Sequence, residues 1–403
     1  MLNKNNFFKN FSFHSKKLSQ NLKKTKKIFK SFKSDLENFE IPLLQSYEKK
    51  YLYDFSSTII KKYSKYRNIV IIGMGGSILG TKSIYSFFKT KIKKNVFFFD
   101  NLDEDLHLKF RRLKILKNSC FIIISKSGNT LETITNLSVI FSKSLLKNKL
   151  IIITETKDNS LNDIANKINA EIIEHKNFIG GRFSVLSEAG MFPAALMGLN
   201  INRFKNLKKL IFDKNFVSSL IQNVANIYTF NMYGKKNSVI LSYDSDLNDL
   251  GYWYQQLVAE SLAKERKGIT PILSILPRDH HSVLQLYLDG PKDKFFTFFS
   301  SSNPKSKYKV SGKIIPSGMK FLKNKKLKSI IDLQCEATKI VFKSHKIPFR
   351  HFVFEKKTEE ELGMTFTYFV LETLLLARLM NVNPFNQPAV EKIKIETRKI
   401  LSR

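Results

Sequence analysis

The amino-acid sequence predicts an α/β fold with two doubly wound parallel sheets, each an α/β/α sandwich, and further helices decorating them. Short apolar, β-rich runs recur at intervals of about 25 to 30 residues, which leaves room for a crossover helix between successive strands. These runs are apolar throughout, as in strands that helices cover on both faces. The pattern starts again near residue 200, and 403 residues suffice for two or three domains.

Residues 1–45 are predicted to form an N-terminal helical preface. Their lysine-rich start resembles an organellar transit peptide. Such peptides prefer arginine, however, and the first arginine in this chain is Arg67. Leu22, Ile28 and Phe29 are interleaved with lysines at the spacing of an amphipathic helix. We therefore expect a helix that packs on the main body.

Residues 46–195 are predicted to form the first domain. Two segments rich in glycine or hydroxyl groups, 73–80 and 125–133, directly follow strand ends. Because the carboxyl ends of parallel strands meet at one edge of a sheet, we expect these segments to lie side by side and to bind a ligand there. The strands are expected at the apolar runs 68–72, 96–100, 120–125 and 150–154.

Residues 196–403 are predicted to form the second domain, because the pattern of strands separated by helical stretches starts again there. The stretch 362–380 is apolar on all sides and predicts a buried helix. Long helical stretches separate the expected strands. These strands are 238–242, 295–299 and 352–355.

Basic residues outnumber acidic ones by 68 to 34, which gives a formal net charge of +34. Such an excess is compatible with a nucleic-acid surface. The lysines, however, are scattered along the chain with many Asn, Ile and Phe, as a compositional bias predicts. We expect solvated lysine faces and no nucleic-acid partner, while a true polyanion patch stays open as the alternative. In either case the positive field attracts a small phosphorylated substrate.

The lengths of the apolar runs and the small number of cysteines favour a cytoplasmic location. No run approaches the roughly 18 apolar residues of a membrane span, so no membrane association is expected. The two cysteines are Cys120 and Cys335, and Cys120 opens an apolar strand. A structural disulfide is therefore not expected, which fits a reducing, cytoplasmic location.

The segment 73–80 invites comparison with dinucleotide-binding loops. The G-x-G-x-x-G pattern requires glycine where Ile78 stands, and no P-loop Lys-Ser/Thr pair follows. Asp100, at the end of the next strand, is weak support for a nicotinamide cofactor. We expect instead a turn that holds one small anion at Gly76 and Ser77.

The second loop concentrates hydrogen-bond donors. Ser125, Lys126, Ser127 and Thr130 stand at a strand end and a helix start. This density of donors suits a phosphate monoester, which has three acceptor oxygens and about two negative charges. The alternative is an ordinary capping turn rich in Ser and Thr.

Five segments in order then resemble one family. The run 125–133 is similar to the phosphosugar-binding loop of sugar isomerase domains, and the later segments narrow the resemblance to glucose-6-phosphate isomerases of the short bacterial form. Gly128 and Asn129 differ from the aromatic residue and threonine of the longer members. The resemblance covers about residues 68–394, and the later segments are 180–184, 256–268, 280–290 and 387–394.

The resemblance implies two sugar isomerase domains and an aldose-ketose isomerisation of glucose 6-phosphate and fructose 6-phosphate in glycolysis and gluconeogenesis. It implies that Glu260 is the base that carries a proton between C2 and C1. Arg182 would stabilise the enediolate, since a guanidinium keeps its proton. Gln256 lies one helical turn before Glu260 and would contact the sugar.

Ring opening is assigned by the same resemblance to His281 and Lys394. The resemblance also implies a homodimer in which His281 enters the neighbouring subunit's site. No metal-ligand spacing is apparent, and the proton-transfer route requires no cofactor.

Two other functions remain open. A dual phosphoglucose/phosphomannose isomerase has the same fold and mechanism. A noncatalytic phosphosugar-binding regulator would normally carry a helix-turn-helix, and residues 1–60 show no convincing one. An amidotransferase route needs an N-terminal Cys, but residue 2 is Leu2.

Overall fold

The computed structural model describes residue 8 and residues 15–38, 40–113, 118–141, 149–302 and 307–403. The strands are β1 Asn68–Gly73, β2 Asn95–Phe99, β3 Ser119–Ile124, β4 Leu150–Thr154, β5 Glu171–Glu174, β6 Asn237–Ser242, β7 Thr270–Ile275, β8 Lys294–Ser301 and β9 Phe349–Phe354. The α-helices are α1 Ser15–Glu37, α2 Ser57–Ser64, α3 Leu79–Phe88, α4 Glu104–Arg112, α5 Leu131–Phe141, α6 Ser160–Ile168, α7 Glu188–Leu196, α8 Leu207–Phe212, α9 Lys214–Met232, α10 Asn248–Leu262, α11 Leu284–Asp289, α12 Leu327–Ser344, α13 Glu359–Met380 and α14 Pro388–Leu401.

Two parallel sheets confirm the predicted fold class. The first has the order β2-β1-β3-β4-β5 and the second the order β7-β6-β8-β9. All pairings are parallel, and the residues of β1, β3 and β4 are buried throughout, as expected for strands covered on both faces. In each sheet the first strand of the chain pairs with the next two, so the strand order reverses there, at the position where ligands bind in open α/β sheets.

The predicted strands are all present, with ends that differ by up to three residues. Two edge strands escaped prediction because their sequences are weak strand signals. β5 has only four residues and carries a glutamate at each end. β7 contains Pro271, which cannot donate to a central ladder and is tolerated because β7 lies at the edge of its sheet.

The helix expected near the N-terminus is α1. Its apolar side packs against α9, where Phe29 and Phe32 are buried and Asn21 donates to Thr229 Oγ1 at 2.8 Å. Residues 1–7, 9–14 and 39 of the predicted preface lie outside the described residues. The predicted boundary between the first and second domains, between residues 195 and 196, stays a prediction.

The buried helix expected over 362–380 is α13. It begins three residues earlier, where the Thr358 side chain accepts from Glu361 N at 3.3 Å and acidic residues occupy the first turn. Among the described residues it alone is long and apolar enough to cross a membrane, yet 89% of its apolar window is buried inside the protein. This helix therefore forms part of the protein core.

The helix α10 connects the two sheets. It contacts α3 of the first sheet's layer as well as β7 and α13 of the second. Its C-terminal half carries Gln256 and Glu260, and the residues that directly follow them, Leu257 and Ser261, are buried. The helix therefore presents these two polar side chains where the two sheets meet.

Candidate active site

The turn after β1 is shaped by two glycines. Gly75 has a φ of +52°, and a Cβ on it would lie 2.8 Å from Nε2 of Gln256. A Cβ on Gly76 would lie 2.2 Å from the backbone carbon of Gly181. Glycine at both positions lets this turn touch both α10 and the segment that carries Arg182.

The predicted phosphate loop lies beside this turn, because β1 and β3 are neighbours and Gly73 pairs with Ile124. Ser125 and Thr130 are joined through their hydroxyl oxygens at 2.8 Å. Ser77 is 9% exposed at the adjacent turn, and Ser127 is exposed. The expectation that the two segments lie side by side is therefore confirmed.

The loop after β4 supports the phosphate loop from behind. Gly128 has a φ of +68°, and a Cβ there would collide with the Asn159 side chain. Its carbonyl accepts from Leu161 N at 3.1 Å. Asn129 Oδ1 accepts from Ser160 N at 2.9 Å and from its hydroxyl at 2.8 Å. These contacts join the loop after β3 to the start of α6.

Arg182 connects three parts of the chain. It is 3% exposed and begins the 3₁₀ turn Gly181–Leu186 with its preceding glycine. Nε donates to Ser261 Oγ at 3.0 Å, and Nη1 donates to Glu260 at 2.9 Å and to Gln387 Oε1 at 2.8 Å. Nη2 donates to the carbonyls of Pro384 and Asn386.

Glu260 and Gln256 form the accessible side of this cluster. The side chain of Glu260 is 32% exposed, and its second oxygen accepts from Gln256 Nε2 at 3.0 Å. Gln256 Oε1 is buried and has no hydrogen-bond partner within the described ranges. A buried acceptor without a donor is unfavourable, so this amide oxygen has unused hydrogen-bonding capacity at the site.

Comparison with known proteins identifies the family. The sequence profile described as "Phosphoglucose isomerase" matches residues 49–271. The chain is also 35% identical over 354 residues to the glucose-6-phosphate isomerase of Methanocaldococcus jannaschii, which covers 85% of this chain and 86% of that protein. The chain belongs to the phosphoglucose isomerase family. The glucose-6-phosphate isomerase of Campylobacter jejuni is 31% identical over 87% of this chain and 89% of its own.

Solved structures share the fold of this phosphoglucose isomerase family member. A hypothetical protein from Thermus thermophilus superposes with a TM-score of 0.80 at 21% identity, covering 96% of both chains. A glucose-6-phosphate isomerase from Chlamydia trachomatis gives a TM-score of 0.69 at 18% identity, over 86% of this chain and 72% of that one. At these identities the likeness shows the fold alone.

The electrostatics of the family site depend on burial. Desolvation lowers the pKa of Arg182, while the Glu260 carboxylate raises it again. Desolvation likewise lowers the pKa of Lys126, and Glu155 opposes that effect. The Glu155 carboxylate therefore helps Lys126 to remain charged in its partly dry surroundings, whereas the Arg182 guanidinium keeps its proton.

His281 and Lys394 are not joined to this cluster. His281 is exposed on the 3₁₀ turn Arg278–His281, and in the described part of the chain it makes no hydrogen bond or ion pair with Glu260. Lys394 is 63% exposed on α14 and pairs with Glu391 of the same helix at 2.6 Å. The neighbouring His280 instead contacts the Tyr243 hydroxyl at 2.9 Å.

Sequence reasoning missed two residues that hold Arg182. Ser261 and Gln387 lie inside the motif segments that carry the family resemblance, but neither was predicted to belong to the site. Their signal was position: Ser261 directly follows Glu260, and Gln387 directly precedes α14. Only the fold shows that both meet one guanidinium.

Proposed function

We propose that this protein interconverts glucose 6-phosphate and fructose 6-phosphate through a cis-enediolate, as a step of glycolysis and gluconeogenesis in the cytoplasm. One observation carries the proposal: a partly exposed carboxylate, Glu260, is held between Arg182 and Gln256 beside two anion-binding loops. The proteins from Methanocaldococcus jannaschii and Campylobacter jejuni that carry the name glucose-6-phosphate isomerase support it.

Glu260 moves the proton in this mechanism. Its carboxylate removes the proton from C2 of the open-chain aldose and returns it to C1 of the planar enediolate. One group can do both because the two carbons are adjacent. No metal or cofactor is required for this route, since side chains of the chain supply both the base and the positive charge.

Arg182 stabilises the negative charge that develops on the enediolate oxygens. Its guanidinium is fixed by Ser261 and by backbone carbonyls, so little reorganisation is needed when the charge appears. Gln256 accepts a sugar hydroxyl through Oε1, which satisfies the acceptor left without a partner. Both interactions orient the substrate relative to Glu260.

The substrate phosphate binds between the two loops that follow β1 and β3. Backbone N–H groups, hydroxyls and one ammonium group are the donors there, which match a dianion with three terminal oxygens. Because the phosphate is held alike in ground and transition states, these contacts affect KM more than kcat. The residues are Gly76, Ser77, Ser125, Lys126, Ser127 and Thr130.

Ring opening is assigned to His281 and Lys394 within a homodimer that shares its sites. The exposure of both side chains supports this arrangement, because a second chain can approach them. The helix α14 also has no buried residue, and its Ile393 and Ile400 are 69% and 64% exposed. Exposed apolar side chains at this spacing fit a contact with a second copy.

Purified protein assayed with glucose 6-phosphate, mannose 6-phosphate and arabinose 5-phosphate tests the proposal. We expect turnover of glucose 6-phosphate to fructose 6-phosphate. Comparable turnover of mannose 6-phosphate favours the dual isomerase instead. Binding of sugar phosphate without turnover favours the regulator, and no activity on any of the three rejects the enzyme.

Mixing inactive Glu260→Gln and His281→Ala subunits tests the shared site. In a mixed dimer one site receives both substitutions and the other receives neither, so activity should return toward half per heterodimer. If exchange is verified and no activity returns, His281 acts within its own chain.

A further inference from the structure

Glu155 is a buried carboxylate that follows the last residue of β4. Its side chain is 8% exposed. One oxygen lies 3.6 Å from Nζ of Lys126, and the other lies 2.5 Å from Nζ of Lys157. A carboxylate at this depth is unfavourable unless cations and hydrogen bonds compensate its lost hydration. The two lysines supply that compensation.

The backbone brings Glu155 and Lys126 together as well. The carbonyl of Lys126 accepts from Glu155 N at 3.1 Å and from Thr154 Oγ1 at 3.3 Å. The Lys126 ammonium group also donates to the carbonyl of Asn177 at 2.7 Å. The ammonium group is therefore held between the Glu155 carboxylate and the Asn177 carbonyl, while the Lys126 side chain remains 30% exposed.

We propose that Glu155 is a positioning residue for the isomerase reaction: its buried carboxylate holds the Lys126 ammonium group at the loop that takes the substrate phosphate. The inference rests on the proposed function, in which Lys126 is one of the phosphate donors. Glu155 itself does not contact the substrate in this proposal, because its side chain is 8% exposed and its negative charge repels a phosphate.

The pH dependence of phosphate binding follows from the groups that face Lys126. These are Glu155, Lys157, Arg182 and His175. Burial lowers the pKa of Lys126, and of these groups only Glu155 raises it. Glu155→Gln therefore lets Lys126 lose its proton at a lower pH, so KM should begin to rise at a lower pH than in the wild type.

Kinetics with glucose 6-phosphate test this role. Glu155→Gln is expected to raise KM roughly tenfold at neutral pH, as expected for loss of a charge-assisted contact, with kcat within about twofold. Lys126→Met should do the same. The double variant should be no worse than Lys126→Met alone, because both changes act on one group. Effects that multiply in the double variant would overturn the proposal.

Two further variants separate positioning from a structural role. Glu155→Asp keeps the charge and should restore most of the wild-type KM, and it carries the test if Glu155→Gln does not fold. Glu174→Gln makes the same change at the end of β5, where Glu174 pairs with Lys176, and should leave KM unchanged. A rise in KM in Glu174→Gln as large as in Glu155→Gln would contradict the assignment.

Calorimetric titration with inorganic phosphate provides a readout without turnover. Its affinity should fall by roughly the same tenfold factor in Glu155→Gln. If the wild type binds phosphate in this Glu155-dependent way but does not isomerise glucose 6-phosphate, the proposed function fails and the positioning role stands. Unchanged phosphate affinity in Glu155→Gln rejects the positioning role.

Discussion

Two arginine–glutamate pairs have similar hydrogen bonds but differ in how far the glutamate is exposed. Arg182 pairs with Glu260 where the two sheets meet, and Arg350 pairs with Glu372 inside the second sheet's layer. The arginines are 3% and 1% exposed. In each pair the arginine Nε donates to a hydroxyl oxygen at 3.0 Å. The acceptor is Ser261 Oγ for Arg182 and Thr297 Oγ1 for Arg350.

The difference lies in the glutamates. The Glu372 side chain is 2% exposed and takes both Nη groups of Arg350, whose guanidinium lies near three phenylalanine rings. The Glu260 side chain is 32% exposed and takes only Nη1 of its arginine. The closed pair leaves no carboxylate oxygen open to solvent, whereas the open pair leaves a partly exposed carboxylate.

The largest expected effect is on activity. Glu260→Gln should lower isomerisation by roughly 10³-fold or more, because the amide keeps the shape of the side chain but cannot accept a proton. Binding of sugar phosphate should persist. The assay is solvent deuterium incorporation at C2 alongside turnover, and full activity in Glu260→Gln would disprove the assignment.

Substitution in the Arg350–Glu372 pair should lower stability and leave substrate binding unchanged. Glu372→Gln leaves the Arg350 charge buried without its partner, which is expected to lower the free energy of unfolding by about 3 to 5 kcal/mol. The protein that remains folded should keep its KM for glucose 6-phosphate. Urea unfolding measures the loss. Replacing both partners, as Arg350→Met with Glu372→Leu, should cost less than Glu372→Gln alone, and a greater cost would contradict this account.

A buried histidine, His175, and a partly buried one, His351, extend the comparison from activity to acid stability. Burial lowers the pKa of His175 to about 4 and that of His351 to about 3. Both are neutral when folded, whereas the unfolded residues take up protons near pH 6.5. Their contribution to stability is therefore complete above about pH 6.5 and lost as pH falls toward 4, by about 3 kcal/mol for His175.

Urea unfolding between pH 8 and pH 4 measures this loss. His175→Gln in the first sheet's layer and His351→Gln in the second should each flatten the pH dependence of the unfolding free energy. A variant with the slope of the wild type would show that its histidine takes up a proton in the folded protein.

The smallest effects concern the two hydroxyls that hold the arginines. Ser261→Ala leaves a buried N–H of Arg182 without an acceptor and is expected to lower kcat roughly tenfold. Thr297→Val makes the corresponding change at Arg350 and should lower the free energy of unfolding by about 1 to 3 kcal/mol without changing kcat. A fall in kcat in Thr297→Val would remove the distinction between the pairs.

Much of the architecture followed from local patterns. Continuous apolar strands at regular spacing predicted parallel sheets, because burial on both faces removes the polar alternation. The loops after β1 and β3 were predicted to be neighbours because the carboxyl ends of parallel strands lie at the same edge of a sheet. The edge strands β5 and β7 were missed, since β5 has four residues with a glutamate at each end and β7 contains Pro271.

The sequence by itself determined the fold class, the adjacency of the loops after β1 and β3 and, through the family motifs, the expectation that Arg182, Gln256 and Glu260 belong to the site. Only the tertiary structure showed which groups surround the basic residues that it describes, among the 68 in the sequence. Arg182 meets Ser261 and Gln387 across 79 and 205 residues, contacts that no local spacing encodes. The proposed role of Glu155 likewise depends on burial, because only the folded chain places this carboxylate out of water beside Lys126 and Lys157.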